Sequence, residues 1–330
     1  MRILVTGGAG YIGSILVEEL VQQGNQVVVL DNLSQGHQRA VDTRAKFIQI
    51  ELSDLEKLNQ IFGSYNIQAV IHLAAKSIVG QSMIEPQPYF QNNIVYGMNL
   101  LDAMMKHGVK KIVFSSSAAV YGHPKKMPIT EKEVTKPVNP YGESKSMFEK
   151  ILHWYGQAYG LMATSLRYFN AAGATLKYGE DHNPEAHLIP NILKVALGQS
   201  PYVAVFGNDY PTRDGTCVRD YIHVFDIAKA HILALKHLEN KGYNKVYNLG
   251  CGKGYSVNEV IEAAKKVTNT QIKTKNHCRR PGDPAVLVAD PKLAQRQLGW
   301  TPLYSDIENI INSAWRWQKA HPHGYKEDLG

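Results

Sequence analysis

The segment Thr6-Gly7-Gly8-Ala9-Gly10-Tyr11-Ile12-Gly13, residues 6–13, joins two segments of different periodicity. The apolar run at residues 3–5 predicts a β-strand, and the amphipathic residues 12–23 predict a helix. Glycines at the spacing GxxGxxG permit a turn with positive φ and let backbone amides approach a phosphate, whose charge the helix N-terminus favours. The sequence therefore predicts a strand, a phosphate-binding loop and a helix in that order.

Asp31 ends the second predicted strand, about twenty residues beyond the glycine loop. A carboxylate there accepts hydrogen bonds from the hydroxyls of an adenosine ribose and repels a 2′-phosphate. We therefore predict that the loop binds NAD rather than NADP. Asp54 and Leu55 precede a further helical segment, and two compatible interpretations stay open for them: a helix N-cap and a place near the adenine.

Short β-rich runs alternate with helical segments through the first half of the chain. This alternation predicts an α/β fold with a Rossmann-type, doubly wound parallel sheet, whose strands we place at 3–5, 27–30, 69–73, 111–114 and 163–167. After about residue 170, loops rich in Gly and Pro separate shorter elements, which predicts a smaller C-terminal α/β domain. We place the NAD-binding domain at 1–170, with 224–250 returning to it, and the substrate domain at 171–330.

Composition restricts the class of protein. The chain has 330 residues, 44% of them hydrophobic, which suffices for a large core and excludes a disordered or fibrous protein. Three scattered cysteines fit neither a disulfide framework nor a zinc site, and we see no metal-ligand cluster. No signal peptide or spanning apolar run is present, so we expect a cytoplasmic protein without a membrane partner. The net charge of +7 is dispersed, which argues against a nucleic-acid partner.

A catalytic pattern opens another predicted helix in the segment Asn139-Pro140-Tyr141-Gly142-Glu143-Ser144-Lys145, where Tyr141 and Lys145 share a helix face. A free tyrosine has a pKa of about 10. An adjacent ammonium group and a nicotinamide cation favour the phenolate, so we predict that Tyr141 accepts a hydroxyl proton. Ser117 lies where the strand at 111–114 reaches the ligand-binding edge of the sheet, within reach of the same substrate oxygen.

Together and in this order, these features resemble the extended branch of the short-chain dehydrogenase/reductase superfamily, which acts on nucleotide sugars. Within it, nearly the whole chain resembles the UDP-glucose 4-epimerase (UDP-galactose 4-epimerase) family. The motifs that carry this resemblance are GGAGYIGS at 7–14, Asp31-Asn32-Leu33, VGQS at 79–82, Asn92-Asn93, SSSAAVYG at 115–122, NPYGESK at 139–145, RYFNAAGA at 167–174, HLIP at 187–190, FGNDYPTRDGTCVRDYIHV at 206–224 and RRPGD at 279–283.

The resemblance implies residue roles. Ser117 and Tyr141 would be catalytic and contact the sugar, and Lys145 would support them. The implied NAD contacts are Gly7, Gly10, Tyr11, Ile12, Gly13, Asp31, Asn32, Asp54, Leu55, Leu73, Ala74, Ala75, Asn92, Ser115, Tyr141, Lys145, Tyr168 and Phe169. The implied UDP-sugar contacts are Asn170, His187, Leu188, Ala204, Phe206, Arg219, Tyr221, Arg280, Asp283 and Leu287. An alternative for Arg219-Asp220 is a surface ion pair, although apolar neighbours disfavour it.

The implied reaction is a 4-epimerisation that interconverts UDP-glucose and UDP-galactose through a 4-keto intermediate. Tyr141 would remove the 4-hydroxyl proton while the C4 hydride passes to NAD and returns on the other face. Ala118 and Ala119 replace the acidic pair of related dehydratases, which argues against water elimination. UDP-N-acetylhexosamines and UDP-pentoses remain alternative substrates because Leu287 has intermediate bulk, and a catalytically silent NAD-binding module is a further alternative. We expect a homodimer formed by helices near 90–107 and 142–159.

Overall fold

The computed structural model describes residues 1–241, 244–280 and 282–326. Its β-strands are β1 (Arg2–Thr6), β2 (Gln26–Asp31), β3 (Lys46–Gln49), β4 (Ala69–His72), β5 (Lys111–Ser117), β6 (Met162–Tyr168), β7 (Asn170–Ala172), β8 (Val203–Phe206), β9 (Val218–His223), β10 (Lys245–Leu249), β11 (Gly254–Ser256), β12 (Thr274–His277) and β13 (Val286–Leu287). Its α-helices are α1 (Tyr11–Gln22), α2 (Leu55–Tyr65), α3 (Val79–Ile84), α4 (Gln87–Phe90), α5 (Tyr96–Lys106), α6 (Pro140–Tyr159), α7 (Leu188–Ala196), α8 (Val224–Lys241), α9 (Val257–Thr268), α10 (Lys292–Leu298) and α11 (Ile307–Ala320).

A seven-stranded parallel sheet forms the centre of the fold, in the order β10-β6-β5-β4-β1-β2-β3. Val5 of β1 is in register with Val29 of β2 and Ile71 of β4. The strand order reverses between β1 and β4, and doubly wound sheets bind ligands at the carboxyl ends of strands beside such a reversal. The predicted Rossmann-type fold is confirmed.

Both faces of this sheet are buried, which explains why its strands are continuous apolar runs rather than alternating ones. Ile3 and Val5 pack on one face with Leu16 of α1 and Ile227 of α8. Leu4 points to the other face, where Leu30, Val70 and Ile112 of neighbouring strands pack with Leu58 of α2, Leu101 of α5 and Phe148 of α6. The period of two along each strand thus divides the apolar residues between two helical layers.

β3 is a strand that the sequence analysis does not predict. It is only four residues long, pairs with β2 at the edge of the sheet, and leaves Lys46 and Gln49 exposed. A short edge strand with polar ends lacks the apolar run by which the inner strands are recognised. Elsewhere the predicted strands agree with the observed ones to within a few residues at their ends.

The second half of the chain builds smaller sheets at the carboxyl end of the main one. β9 pairs with β11, β13 and β7, and β8 pairs with β12. Helices α7, α9 and α11 cover these strands around a separate apolar cluster that includes Ile192, Val260 and Ile310. Tyr11, at the start of α1, donates a hydrogen bond to the carbonyl oxygen of Gly173 at 2.6 Å, which joins the two parts.

The chain returns to the main sheet after β9. α8 packs against α1, and β10 adds a parallel strand beside β6. Three parts of the predicted domains lie outside the described residues, namely 242–243, 281 and 327–330. Residue 281 is Pro281 of the RRPGD motif. Among the residues that the structure describes, no helix combines the length and apolarity required to cross a membrane.

Candidate active site

The glycine loop between β1 and α1 has the shape of a phosphate cradle. Gly7 has φ of +71°, and a Cβ there would lie 2.6 Å from the amide nitrogen of Ala74. A Cβ at Gly13 would lie 2.2 Å from Gly7 O, whereas at Gly10 the nearest atom is 3.4 Å away. Gly7 and Gly13 therefore allow close backbone packing, and Gly10 keeps an open side. The N-cap of α1 is Gly10, which has no side chain to cap the first amides of the helix. These amides are therefore directed at the loop, an arrangement that suits the binding of a pyrophosphate.

Asp31 is buried beside this loop at the end of β2. Its carboxylate accepts hydrogen bonds from the backbone amides of Ala9, at 3.0 Å, and Leu33, at 2.9 Å. Burial raises the pKa of Asp31, and the bonds from the amides of Leu33 and Ala9 oppose that shift. The carboxylate is thus held in a fixed orientation, as recognition of a ribose requires.

We expect Asp31→Asn to weaken NAD binding and to reduce the preference for NAD over NADP. A hydrogen bond to a charged group contributes about 1.5–3 kcal/mol, so NAD affinity should fall by about tenfold or more. The measurement compares dissociation constants for both dinucleotides in wild type and variant after removal of bound cofactor. Equal weakening towards NAD and NADP would contradict a ribose-selecting role and indicate a general disturbance of the loop.

The other residues of the first half that are predicted to contact NAD surround the same carboxyl-terminal edge of the main sheet. The amides of Leu73 and Ala74 donate to Thr6 O at 3.0 and 3.1 Å, which packs the segment after β4 against the end of β1. Asp54 accepts from the amide of Lys57 at 2.9 Å, so its N-cap interpretation is confirmed. A place near adenine stays a prediction for Asp54 and Leu55, as do the contacts predicted for Asn32, Ala75 and Asn92.

Asn93 is a residue of this edge that the sequence analysis leaves out of the predicted site. Its side chain donates to Lys76 O at 3.0 Å and to Ser144 Oγ at 2.9 Å, and it accepts from the Lys76 amide at 2.8 Å. Asn93 therefore fastens the loop after β4 to α6. The signal was present in the Asn92-Asn93 motif, but a sequence does not show which of two adjacent amides points inward.

The structure brings Ser117, Tyr141 and Lys145 together at the carboxyl end of β5. Asn139 caps α6 by accepting from the Gly142 amide at 2.8 Å, which places Tyr141 in the first turn. Tyr141 is buried, and its hydroxyl is hydrogen-bonded to Ser117. Lys145 lies one turn further, donates from Nζ to Ser115 O at 2.8 Å and lies 5.9 Å from the centroid of the Tyr141 ring.

Burial dominates the electrostatics of this group. It raises the pKa of Tyr141, and the hydrogen bond with Ser117 only partly opposes that shift. Burial lowers the pKa of Lys145 to about 7, with Glu149 acting in the opposite direction. The predicted phenolate depends on the cationic nicotinamide as well as on the ammonium group, so it stays a prediction.

A buried ion pair lies behind the catalytic residues. Glu149, one turn after Lys145 on α6, binds the guanidinium of Arg167 on β6 and accepts a hydrogen bond from Ser116. Arg167 also donates to the Tyr121 hydroxyl at 2.9 Å. These contacts join β5, β6 and α6 immediately beside the predicted catalytic side chains. Sequence reasoning missed this pair because its members are 18 residues apart on different elements.

Tyr168 ends β6 next to the same group, and Phe169 directly follows the strand. The Tyr168 side chain is hydrogen-bonded to Ser115, whose hydroxyl lies 3.0 Å from His231 Nε2. His231 Nδ1 lies 2.9 Å from Ile227 O, and burial lowers the pKa of His231 to about 4. His231 is therefore neutral at physiological pH, and its Nε2 accepts from Ser115. Sequence reasoning did not identify His231, because α8 comes more than one hundred residues after β5.

The predicted substrate residues occupy adjoining strands of the second half. Asn170 of β7 is in register with Tyr221 of β9, and Arg219 of β9 is in register with Leu287 of β13. The buried Arg219 guanidinium pairs with Asp283. Two other predicted substrate residues, Ala204 and Phe206, lie on β8. The Arg280 guanidinium lies 4.1 Å from the Phe206 ring centroid. His187 and Leu188 open α7.

The alternative interpretation of Arg219 and Asp220 as a surface ion pair is wrong. Asp220 is buried and accepts hydrogen bonds from the amides of Cys251, Gly252 and Ala289, at 2.7–3.1 Å. Successive residues of a strand point to opposite faces, so Arg219 and Asp220 face different partners. Arg219 is left on the side of Asp283, where a guanidinium can make bidentate hydrogen bonds with a diphosphate.

Comparison with known proteins places the chain in a family. The model of the NAD dependent epimerase/dehydratase family matches residues 3–250. This chain belongs to that family. A UDP-glucose 4-epimerase of Halalkalibacterium halodurans is 52% identical over 330 residues, covering 99% of this chain and 98% of the relative.

Solved structures of the epimerase/dehydratase family agree closely with this fold. A crystal structure of UDP-glucose 4-epimerase superposes with a TM-score of 0.96 at 49% identity, covering 99% of this chain and 100% of the other. The UDP-glucose 4-epimerase of Bifidobacterium longum in complex with NAD⁺ and UDP gives a TM-score of 0.94 at 41% identity, covering 98% and 100%. These likenesses extend over both halves of the chain, not only the dinucleotide-binding part.

The family name covers epimerases and dehydratases, and the 3₁₀ turn after β5 carries the two residues on which the sequence analysis bases its preference for an epimerase. Ala118 and Ala119, the first residues of this turn, follow Ser117 directly. Both lack the carboxyl group that elimination of water would use. A Cβ at Gly142 would lie 2.5 Å from Ala119 O, so the turn packs directly on the first turn of α6. The chain thus has the predicted proton-transfer residues, and neither residue that directly follows Ser117 is acidic.

The sequence analysis recognises no metal-ligand cluster, whereas the structure brings four possible ligand side chains together in one loop. Side-chain ligand atoms of Glu180, His182, Glu185 and His187 all lie within 4.8 Å of one another. The spacings of two, three and two residues match no regular helix or strand pattern, and an irregular loop brings these side chains together. Such a cluster is visible only once the path of the loop is known.

Proposed function

We propose that this chain is a UDP-glucose 4-epimerase, an isomerase that interconverts UDP-glucose and UDP-galactose with bound NAD. The observation that carries this conclusion is the convergence of Ser117, Tyr141 and Lys145 beside a dinucleotide-binding loop. Across the same edge lies a second half with a buried arginine, Arg219, suited to a nucleotide diphosphate. The names of the relative and the structures reported above support the same reaction.

The residues of the first half fit NAD. Gly10 and the amides of α1 would hold its pyrophosphate, Asp31 its adenosine ribose and Lys145 its nicotinamide ribose. When bound, NAD supplies a reversible hydride acceptor for C4 of the sugar. The close backbone approaches at Gly7 and Gly13 leave no room for side chains on that side of the cradle.

Proton transfer falls to Tyr141. Its phenol loses a proton in the presence of the cofactor cation and then removes the proton of the sugar 4-hydroxyl. The hydroxyl of Ser117 shares the substrate oxygen, and Lys145 stabilises the phenolate electrostatically from the next turn of α6. The 4-keto intermediate then turns in the pocket, and Tyr141 returns the proton as the configuration at C4 is inverted. No net oxidation occurs, so the cofactor remains bound throughout.

The direct experiment incubates purified protein with UDP-galactose without adding NAD and follows the formation of UDP-glucose. We expect the protein to convert UDP-galactose with the NAD that it retains. Conversion only of UDP-N-acetylhexosamines or UDP-pentoses would shift the proposal to those substrates. Absence of conversion of every UDP-sugar, even with NAD supplied, would favour the catalytically silent binding module.

Leu287 provides a test of sugar specificity. It packs against a cluster that includes Ala118 and Phe169, and its partner in register is Arg219. We propose that its side chain limits the space beside the sugar 2-substituent. Because overpacking costs about 1–3 kcal/mol, Leu287→Tyr should reduce turnover of UDP-N-acetylgalactosamine about tenfold relative to UDP-galactose. A ratio of the two rates equal to that of wild type would contradict this placement.

The proposed domains run from 1–170, together with 224–250, and from 171–330. The position of β10 in the main sheet and the packing of α8 on α1 support assigning 224–250 to the first. The apolar cluster under α7, α9 and α11 supports the division, while Tyr178, Ala294, Leu298 and Trp300 of the second half pack into the cluster of the main sheet.

We also propose a homodimer formed by α5 and α6. Tyr155 of α6 donates to Asp102 of α5 at 2.7 Å, so the helices present a joint surface. Large apolar side chains are exposed on or beside it, namely Val95, Met98, Met147, Trp154 and Tyr159. Exposed apolar patches of this kind mark interaction surfaces, and most soluble oligomers are two-fold symmetric.

Trp154, which is 67% exposed, tests the proposed dimer. We expect Trp154→Glu to convert a dimer into a monomer, because two-fold symmetry would bury the new charge twice. The measurement is molar mass by light scattering after size exclusion, with Leu303→Glu as a control at an exposed apolar residue elsewhere on the surface. A dimeric Trp154→Glu variant, or a monomeric wild type, would contradict the proposed interface.

A further inference from the structure

A compact group of possible metal ligands lies in the loop that precedes α7. Glu180, His182, Glu185 and His187 fall within eight consecutive residues, and one ligand atom of each lies within 4.8 Å of the other three. Glu180 is buried, whereas the side chain of His187 is about half exposed. The group therefore has a protected base and an open side through which an ion can enter.

The ligand atoms already converge. His187 Nδ1 lies 2.7 Å from Glu180 Oε1 and 2.9 Å from Glu185 Oε1, and His182 Nδ1 lies 3.0 Å from Glu180 Oε1. Two atoms that each bind zinc at about 2.1 Å are at most about 4.2 Å apart. The separations of the ligand atoms, none of them above 4.8 Å, thus have to shrink by at most about 0.6 Å to meet this limit.

A second observation lies beside Glu180. This residue lines a cavity of about 10 Å³, which Gln318 of α11 also lines. Gln318 is only 8% exposed, and its Oε1 has no hydrogen-bond partner among the described residues. A buried polar oxygen without a partner is unfavourable, so an ion or an ion-bound water in this region would relieve that cost. Gln318 and Glu180 line the same cavity, so the unpartnered oxygen lies on the Glu180 side of the cluster.

We propose that Glu180, His182, Glu185 and His187 bind one divalent transition-metal ion of the Zn²⁺ class. Two imidazoles and two carboxylates form a set of nitrogen and oxygen donors that is typical of Zn²⁺, and imidazole disfavours Mg²⁺ and Ca²⁺. Two carboxylates also balance the charge of a dication. Each ligand exchanges a hydrogen-bonding partner within the cluster for the metal, and the histidines release any bound proton to water.

The surroundings of the loop give the ion a structural role. The carbonyl oxygen of Asp181, between two of the ligands, lies 2.9 Å from His37 Nε2, and its carboxylate accepts from the Tyr325 amide. The His182 ring contacts Tyr11 of the cofactor loop edge-on at 6.2 Å. A metal ion would therefore brace the loop that runs from the dinucleotide-binding part to the start of α7.

The test uses the full chain with its retained cofactor, freed of metal by a chelator and titrated with Zn²⁺ against a chromophoric competitor. We expect one Zn²⁺ per chain and a higher melting temperature when it is bound. Since loss of an outer-shell partner alone typically costs 10–100-fold in affinity, His182→Ala and Glu185→Gln should each weaken binding by about tenfold or more. His123→Ala, which removes an exposed imidazole elsewhere, should leave Zn²⁺ affinity unchanged.

The alternative to metal binding is that the cluster serves only as a network of ion pairs. In that case wild type would bind Zn²⁺ no more tightly than His182→Ala, or all three variants would lose affinity equally, and either outcome overturns the proposal. Circular dichroism without metal establishes whether the variants fold. If His182→Ala does not fold, Glu185→Gln and the visible spectrum of Co²⁺-loaded wild type settle the question, because weak featureless absorption would exclude a site with histidine ligands and tetrahedral geometry.

Discussion

Tyr141→Phe is expected to reduce kcat by about 10²–10⁴-fold, the usual contribution of a positioned proton-transfer group. The substitution removes one hydroxyl, whose hydrogen-bonding partner is Ser117, and keeps the buried ring. The melting temperature and the amount of bound NAD should therefore change little. The measurement is the initial rate with saturating UDP-galactose, together with thermal unfolding.

Tyr247→Phe provides the matched control for that experiment. The Tyr247 hydroxyl donates to Gln297 at 3.1 Å, and its ring is buried in the main core on β10. This control loses the same atom from another part of the fold and should keep nearly full activity. Wild-type turnover by Tyr141→Phe, or an equal loss in both variants, would contradict the assigned proton transfer.

Arg167→Met is expected to destabilise the protein by about 3–5 kcal/mol, because it leaves a buried carboxylate without its partner. The side chains of Arg167 and Glu149 are only 7% and 9% exposed, so water cannot replace the lost guanidinium. The free energy of unfolding in urea measures the effect. We also expect lower activity, since Glu149 lies one turn beyond Lys145 and accepts a hydrogen bond from Ser116.

A double variant separates this pair from a simple loss of packing. Replacing both members with apolar residues, Arg167→Met with Glu149→Leu, removes both charges, and such replacements are often neutral in stability. The double variant should therefore recover much of the stability lost in the single one. A double variant less stable than Arg167→Met would contradict the idea that the unpaired charge is the source of the loss.

Local signals were sufficient for the first half of the fold. Gly7, Gly10 and Gly13 directly follow a strand and open a helix, so the local sequence predicts their geometry. Tyr141 and Lys145 share a helix face at a spacing of four residues, and Asn139 starts that helix as an N-cap. These predictions succeed because backbone chemistry within a few residues determines the structure.

Features that depend on distant contacts were not predictable. His231 and Arg167 reach the active site from elements far along the chain, and only the tertiary fold brings them to Ser115 and Ser116. The burial that raises the pKa of Tyr141 was also not predictable, since the extent of burial cannot be read from neighbouring residues. The roles predicted for individual NAD and UDP-sugar contacts remain predictions for mutagenesis.

The most direct test of the central claim uses UDP-galactose that carries deuterium at C4, in ordinary water, with no NAD added. Epimerisation through a 4-keto intermediate with a retained cofactor returns the same hydrogen to C4 on the opposite face. The account therefore predicts UDP-glucose with full deuterium at C4, detected by NMR and mass spectrometry. UDP-glucose that has lost its C4 deuterium to water would contradict the account, because a proton exchange at carbon would then replace the proposed transfer.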